Sequence, residues 1–166
     1  MKKILNGCWA VLLSIQKIIM ILSSGFILLG LVATVILRYV FQTDLFGLEE
    51  LILIPAFWMY FMGASYGTYK NEHITADITN VYVKSDKLRD GIQLLNKFIC
   101  FVIAIILSVW ASGFVLWNIN SGATSSVWNY PVYIPQTAIL AGFVLMSFYL
   151  LVNILKDAKN FVNYFR

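Results

Sequence analysis

The sequence contains little charge, and four long stretches contain none. Of its 166 residues, 12% are charged and 60% are hydrophobic, whereas a soluble globular domain carries about 25% charged residues. Asp, Glu, Lys and Arg are missing from residues 18–37, 51–69, 98–117 and 135–155. At about 1.5 Å per residue, each stretch forms a helix of roughly 30 Å, the thickness of a bilayer's hydrocarbon core. This pattern excludes a soluble domain and predicts an all-α integral membrane protein with four transmembrane helices.

Cysteine and histidine are scarce, which argues against metal and redox chemistry. The two cysteines, Cys8 and Cys100, form neither a disulfide framework nor a C-x-x-C pair. The single histidine, His73, cannot supply both axial ligands of a transmembrane haem. His73 and Asp77 lack the third protein ligand that a catalytic zinc ion needs. We predict no cofactor and no metal site, and interpret His73 and Asp77 as a tether of their loop at the membrane interface.

The predicted spans hold no Asp, Glu, His, Lys or Arg, and such residues usually mark the transport pathways of membrane proteins. The sequence also shows no nucleophile–base pair, phosphate-binding glycine loop or nucleotide-binding motif. We therefore predict that the chain is not an enzyme and moves no solute alone. Two alternatives stay open: a membrane anchor subunit of a redox enzyme, and a self-sufficient small multidrug carrier.

Lysine and arginine are distributed unevenly between the two sides of the predicted spans. Alternate flanks carry eleven basic residues on one side and one, Arg38, on the other. By the positive-inside rule, the basic side faces the cytoplasm. We therefore predict that both termini and the loop 70–97 are cytoplasmic, with loops 38–50 and 118–134 on the outer side. Because the basic residues flank apolar spans instead of forming one patch, the expected surroundings are lipids and not nucleic acid.

The predicted organisation is one membrane domain over residues 1–166. Residues 4–16 are also apolar, so the first span either extends as a long tilted helix or follows a short interfacial helix, and Lys17 favours a break. Within the loop 70–97, apolar residues at helical spacing predict a short amphipathic helix at the cytoplasmic interface. They are Ile74, Ile78, Val81 and Tyr82.

Small residues at a spacing of four predict helix contacts. Gly63 and Gly67 form a G-x-x-x-G on the second span, and internal packing and contact with another polypeptide both explain it. Trp58 lies in the same span, where its indole N–H requires an acceptor. Serine and threonine hydroxyls within the spans can donate to their own helix.

Charged and aromatic residues collect at the outer ends of the spans. Arg38 ends the first span, and Glu49 and Glu50 begin the second, where a helix N-terminus favours carboxylates. Helix capping is one interpretation; the other is an ion pair of Arg38 with a glutamate or with a partner subunit. The last loop adds three aromatic residues that fit an interfacial belt. They are Trp128, Tyr130 and Tyr133.

The order of these residues resembles a known family. The chain carries, in sequence, Arg38-Tyr39-Val40-Phe41, Glu49-Glu50-Leu51, Phe57-Trp58, Gly63-Ala64, His73-Ile74 with Asp77, and Trp128 to Pro135. This order resembles the small membrane subunit, of the DctQ type, of tripartite ATP-independent periplasmic (TRAP) transporters. The resemblance covers nearly the whole chain.

The resemblance implies a bacterial inner-membrane system of three proteins. A periplasmic solute-binding protein captures the solute, a large membrane subunit carries the transport site, and this small subunit is the scaffold around the moving part of the large one. The implied activity is import of an organic acid, such as a C4-dicarboxylate or sialic acid, driven by sodium that binds the large subunit. Loops 38–50 and 118–134 would then be periplasmic.

With that family in view, two surfaces become candidate interfaces. We expect one to face the large subunit: Arg38, Glu49, Glu50, Trp58, Gly63 and Gly67. We expect the other, the aromatic loop, to offer a landing surface for the solute-binding protein: Trp128, Tyr130 and Tyr133.

Overall fold

The described part of the chain forms four long α-helices. The computed structural model describes residues 2–43, 47–70 and 86–164. All four helices are long and apolar enough to cross a membrane, which confirms the predicted four-helix membrane fold. They are α1 (Lys2–Tyr39), α2 (Leu48–Lys70), α3 (Asp86–Ser121) and α4 (Tyr133–Tyr164).

Helix α1 is continuous over 38 residues, so the break expected at Lys17 is wrong. No glycine or proline interrupts residues 8–24, and lysine itself is a good helix former. The exposed Lys17 side chain is accommodated on the helix surface without any change of the backbone. Of the two alternatives for residues 4–16, the structure therefore has the extended first helix.

The helix ends follow from glycine and proline. Helix α3 ends at Ser121 because Gly122 has a φ of +63°, and its amide donates to the Ile119 carbonyl at 3.3 Å. Helix α4 begins at Tyr133, with Pro135 in its first turn, where the missing N–H costs no helix hydrogen bond. The last connection is therefore shorter than the predicted loop 118–134.

The connection between α2 and α3 carries two of the sequence-based predictions. Both the tether of His73 and Asp77 and the amphipathic helix of Ile74 to Tyr82 lie outside the described residues. These two predictions remain as they were stated.

The chain divides into two compact units. Unit 1 consists of Met1–Gly63 and Ala111–Ala141, and it contains the α1–α2 and α3–α4 connections. Unit 2 consists of Ala64–Trp110 and Gly142–Arg166. Within unit 2, the Tyr69 and Tyr149 rings lie 5.6 Å apart, and Tyr149 is almost completely buried.

Burial is reversed relative to a water-soluble protein. Among the described residues, the buried set includes seven hydrophobic and seven polar residues, together with Pro135 and Gly142. Large apolar side chains point outwards instead: Ile21 is 70% exposed and Leu29 is 68% exposed. An apolar exterior is stable only when hydrocarbon or another protein covers it, as in a membrane.

Several hydroxyl groups inside the helices donate to their own backbone, as the sequence predicts. Each of four residues donates to the carbonyl four positions earlier at 2.7–3.0 Å, which satisfies the hydroxyl without a partner helix. They are Thr34, Thr68, Ser108 and Ser147.

Helices α1 and α2 approach each other closely at Gly30. A Cβ atom added there would lie 2.9 Å from Cγ1 of Ile52, whereas one added at Gly25 would meet nothing within 4 Å. We expect Gly30→Leu to destabilise the chain by about 1–3 kcal/mol through overpacking. Gly25→Leu, the same change on the same helix, is expected to have a much smaller effect. Unfolding of the detergent-solubilised protein measures both, and equal losses would contradict this close approach.

Candidate functional site

The Glu50 carboxylate binds the connection between α3 and α4. Its Oε2 atom accepts hydrogen bonds from the Ser125 hydroxyl at 2.7 Å, the Val127 amide at 3.2 Å and the Trp128 amide at 3.4 Å. Glu50 lies in the first turn of α2, so one side chain joins the start of this helix to a loop 75 residues away. Charge-assisted hydrogen bonds of this kind are stronger than neutral ones.

Two aromatic side chains of the same loop bind the backbone at the start of α2. The Trp128 indole N–H donates to the Gly47 carbonyl, and the Tyr130 hydroxyl donates to the Glu50 carbonyl, both at 3.0 Å. We call this arrangement of Gly47 and Glu50 with residues 125–130 the loop clasp. The predicted aromatic belt residues Trp128 and Tyr130 therefore have a structural role in unit 1, while Tyr133 begins α4.

The loop itself is a short hairpin. The Ser125 amide donates to the Tyr130 carbonyl at 2.9 Å, and the Val132 amide donates to the Ala123 carbonyl at 3.0 Å. Asn129 turns the chain with a φ of +53°, a conformation that asparagine tolerates better than most residues. This hairpin fixes the amides of Val127 and Trp128 in the direction of Glu50.

Gly47 lies where the start of α2 contacts the hairpin loop. Its φ of +89° favours glycine, and an added Cβ would lie 2.7 Å from both Trp128 Nε1 and Val127 Cγ1. Its carbonyl also accepts from the Glu50 amide at 3.1 Å, so Gly47 caps helix α2. Any side chain at this position would separate the loop from the helix.

Burial raises the pKa of the Tyr130 hydroxyl, and the negative charge of Glu50 adds to this effect. The phenol is protonated at neutral pH, as in any tyrosine, and the raised pKa extends this state to higher pH. The Tyr130 hydroxyl thus remains a hydrogen-bond donor to the Glu50 carbonyl.

The alternative in which Arg38 pairs with a glutamate of the same chain is wrong for the described residues. Arg38 and Glu49 are exposed, and the Glu50 carboxylate is occupied by loop donors. The Glu50 carboxylate faces the α3–α4 hairpin. The spacing of residues in the sequence does not predict this orientation. A contact of Arg38 with a partner subunit stays a prediction.

A groove between α1 and α2 contains Trp58. Its volume is about 570 Å³, and its walls are almost entirely apolar. Four residues of each helix line it: Ile19, Leu22, Ser23 and Phe26 of α1, and Leu51, Ile54, Pro55 and Trp58 of α2.

The two glycines of the G-x-x-x-G differ in their surroundings. A Cβ added at Gly63 would lie 3.9 Å from Cε of Met20, an ordinary packing distance, so Gly63 contacts α1. A Cβ added at Gly67 would meet nothing within 4 Å. Gly67 therefore has room beside it that the described part of this chain does not fill.

Unit 2 contains two polar contacts that sequence reasoning missed. The Asn153 side-chain amide donates to the Thr68 carbonyl at 3.3 Å, in the last turn of α2, where helix carbonyls lack intrahelical donors. Lys97 of α3 forms an ion pair with Asp157 of α4. Both pairs join residues at least 60 positions apart, so no local sequence pattern predicts them.

No group of three or more potential metal ligands occurs among residues 2–43, 47–70 and 86–164. What these residues bring together is a structural clasp, an apolar groove and helices with outward apolar side chains. These features fit a multi-pass membrane protein whose apolar side chains point outwards.

Comparison with protein families identifies the subunit. The family model described as tripartite ATP-independent periplasmic transporters, DctQ component, matches residues 27–160. The chain belongs to this family and is a small subunit of a TRAP transporter. A comparison with curated proteins finds no match. The family is a component of a transporter and not an enzyme family.

Proposed function

We propose that this chain is the scaffold subunit of a TRAP transporter that imports an organic acid, such as a C4-dicarboxylate or sialic acid, with a sodium gradient. It holds the large membrane subunit at a fixed depth, and the large subunit carries the solute and sodium sites. The chain lies in a bacterial inner membrane with both termini in the cytoplasm. The observation that carries this proposal is the absence of Asp, Glu, His, Lys and Arg from the stretches 18–37, 51–69, 98–117 and 135–155.

Electrostatics supports a scaffold role. Binding and releasing a carboxylate or a sodium ion within a bilayer needs polar or charged ligands at membrane depth. In this chain the charged side chains lie at the span ends, where Glu50 already binds the loop and Lys97 already binds Asp157. These contacts stabilise the subunit. They lie at the span ends and therefore do not supply charged ligands for transport at membrane depth.

The stiffened end of unit 1 supports a scaffold role beside a partner in the membrane. A mobile domain that slides past a static one needs rigid helices whose depth is fixed by interfacial anchors. The loop clasp stiffens one end of unit 1, and the half-exposed Trp128 ring lies beside it. The same ring is the proposed contact for the solute-binding protein.

Substituting Gly67 tests the contact with the large subunit. A Cβ atom added at Gly67 meets nothing within 4 Å, so we expect Gly67→Leu to leave this chain folded. The leucine side chain would occupy the space beside α2. We expect at least about a tenfold loss of the large subunit in co-purification, because overpacking a close contact costs roughly 1–3 kcal/mol.

Gly113→Leu on α3 is the matched control, since a Cβ at Gly113 also meets nothing within 4 Å. We expect it to leave the yield of the complex close to that of the unchanged chain. An unaffected complex with Gly67→Leu, or a loss confined to Gly113→Leu, would remove this face of α2 from the interface.

A further inference from the structure

The groove between α1 and α2 contains two hydrogen-bond donors without an acceptor among the described residues. Ser23 lines the groove and is 8% exposed, and no hydrogen bond joins its hydroxyl to the described part of the chain. The indole N–H of Trp58, on the opposite wall, has no acceptor there either. An unpaired donor at membrane depth costs free energy, because hydrocarbon offers no acceptor.

Ser23 differs from the other hydroxyl groups of the helices. Thr34 of the same helix donates to the carbonyl four residues earlier, at 2.8 Å, and so satisfies itself. Ser23 makes no such bond, although the Ile19 carbonyl lies four residues before it. Its hydroxyl is thus left for a group that enters the groove.

The two donors lie at a similar depth. Helices α1 and α2 run antiparallel, with contacts between Gly30 and Ile52 and between Met20 and Gly63. Ser23 follows Met20 by three residues, and Trp58 precedes Gly63 by five. Each therefore lies about one helical turn from the Met20–Gly63 contact, on the side towards the Gly30–Ile52 contact. The groove therefore presents Ser23 and Trp58 at a similar depth on its opposite walls.

A polar transmembrane helix satisfies both donors, whereas a lipid acyl chain does not. A lipid acyl chain would fill the apolar walls but would leave the Ser23 hydroxyl and the Trp58 N–H unpaired. A transmembrane helix that carries a hydroxyl or amide side chain fills the walls and supplies an acceptor at that depth. The groove also offers a backbone acceptor, since Pro55 has no N–H to donate to the Leu51 carbonyl.

We propose that the α1–α2 groove binds a transmembrane helix of the large subunit, and that an acceptor side chain of this helix receives hydrogen bonds from Ser23 and Trp58. The inference rests on the proposed function for the presence of the large subunit. The inference adds which surface of this chain makes the contact, and which two side chains donate hydrogen bonds across it.

Removing the Ser23 donor tests the polar contact. In the co-purified membrane complex, Ser23→Ala should weaken the association about threefold, the size of an average interhelical hydrogen bond. Ser24→Ala, which changes the exposed neighbouring hydroxyl, should leave the association unchanged. Trp58→Phe combined with Ser23→Ala should weaken it further. Equal affinities for Ser23→Ala and Ser24→Ala would overturn the assigned contact.

Photo-crosslinking in native membranes tests the occupant. A benzophenone amino acid at Ile54, which lines the groove, should form an adduct with the large subunit. The same probe at Tyr60, which is 72% exposed on α2, should give lipid adducts. Lipid adducts alone from Ile54, in a complex that still co-purifies, would overturn the groove assignment and leave the proposed function intact. Failure of the unchanged chain to co-purify with the large subunit would overturn the proposed function itself.

Discussion

Replacing Gly47 with alanine is expected to open the loop clasp and to destabilise unit 1 by about 2–5 kcal/mol. An L-residue at a φ of +89° is strained by roughly 1–2 kcal/mol, and the methyl group would lie 2.7 Å from Trp128 Nε1 and Val127 Cγ1. The clash adds a cost of the size found for overpacking, about 1–3 kcal/mol. Titration of the purified protein with a denaturing detergent, followed by tryptophan fluorescence, measures the loss.

Gly122→Ala separates backbone strain from the clash. Gly122 also has a positive φ, of +63°, but an added Cβ would meet nothing within 4 Å. We expect this variant to lose only about 1 kcal/mol, the cost of the left-handed conformation. If Gly47→Ala lost no more than Gly122→Ala, the close contact between Gly47 and Trp128 would not matter for stability.

Removal of the Glu50 carboxylate is expected to release the hairpin from α2. Glu50→Ala leaves the Ser125 hydroxyl and the amides of Val127 and Trp128 without their acceptor. Hydrogen–deuterium exchange of peptides that cover residues 123–130 should become roughly tenfold faster, because hydrogen bonds to charged groups are strong. Glu50→Gln keeps one acceptor oxygen but no charge, so its exchange rate should lie in between.

The adjacent Glu49 provides the control for Glu50. Its side chain is exposed, and Glu49→Ala removes one negative charge from the same helix turn. We expect the exchange of residues 123–130 to remain at the rate of the unchanged chain. Equal protection in Glu50→Ala and Glu49→Ala would contradict the role of Glu50 in the clasp.

The transmembrane fold could be predicted because its determinants are local. Charge-free stretches of about 20 residues specify spans directly, since the bilayer sets their length and requires internal backbone hydrogen bonds. The self-satisfied hydroxyls, such as Thr34, follow from the same requirement. The continuity of α1 through Lys17 does not follow from the charge pattern, because a lysine can lie on the surface of a helix that no glycine or proline interrupts.

The clasp could not be predicted because it is made by residues far apart in sequence. Glu50 and Ser125 are 75 positions apart, and a carboxylate at a helix start has a sufficient local explanation in the helix dipole. Gly47, two residues before Glu49, was the one available signal, since a glycine just before a helix indicates an unusual backbone or a close approach. Trp128 and Tyr130 were recognised as interfacial aromatics, but their acceptors depend on the hairpin geometry.

Transport by reconstituted subunits tests the central claim that this chain supports a transporter without moving solute itself. Proteoliposomes would contain this chain alone, the large subunit alone, or both, each with the solute-binding protein outside and an inward sodium gradient. We predict accumulation of the organic acid only when both membrane subunits are present. Accumulation by this chain alone, or full uptake by the large subunit without it, would contradict the account.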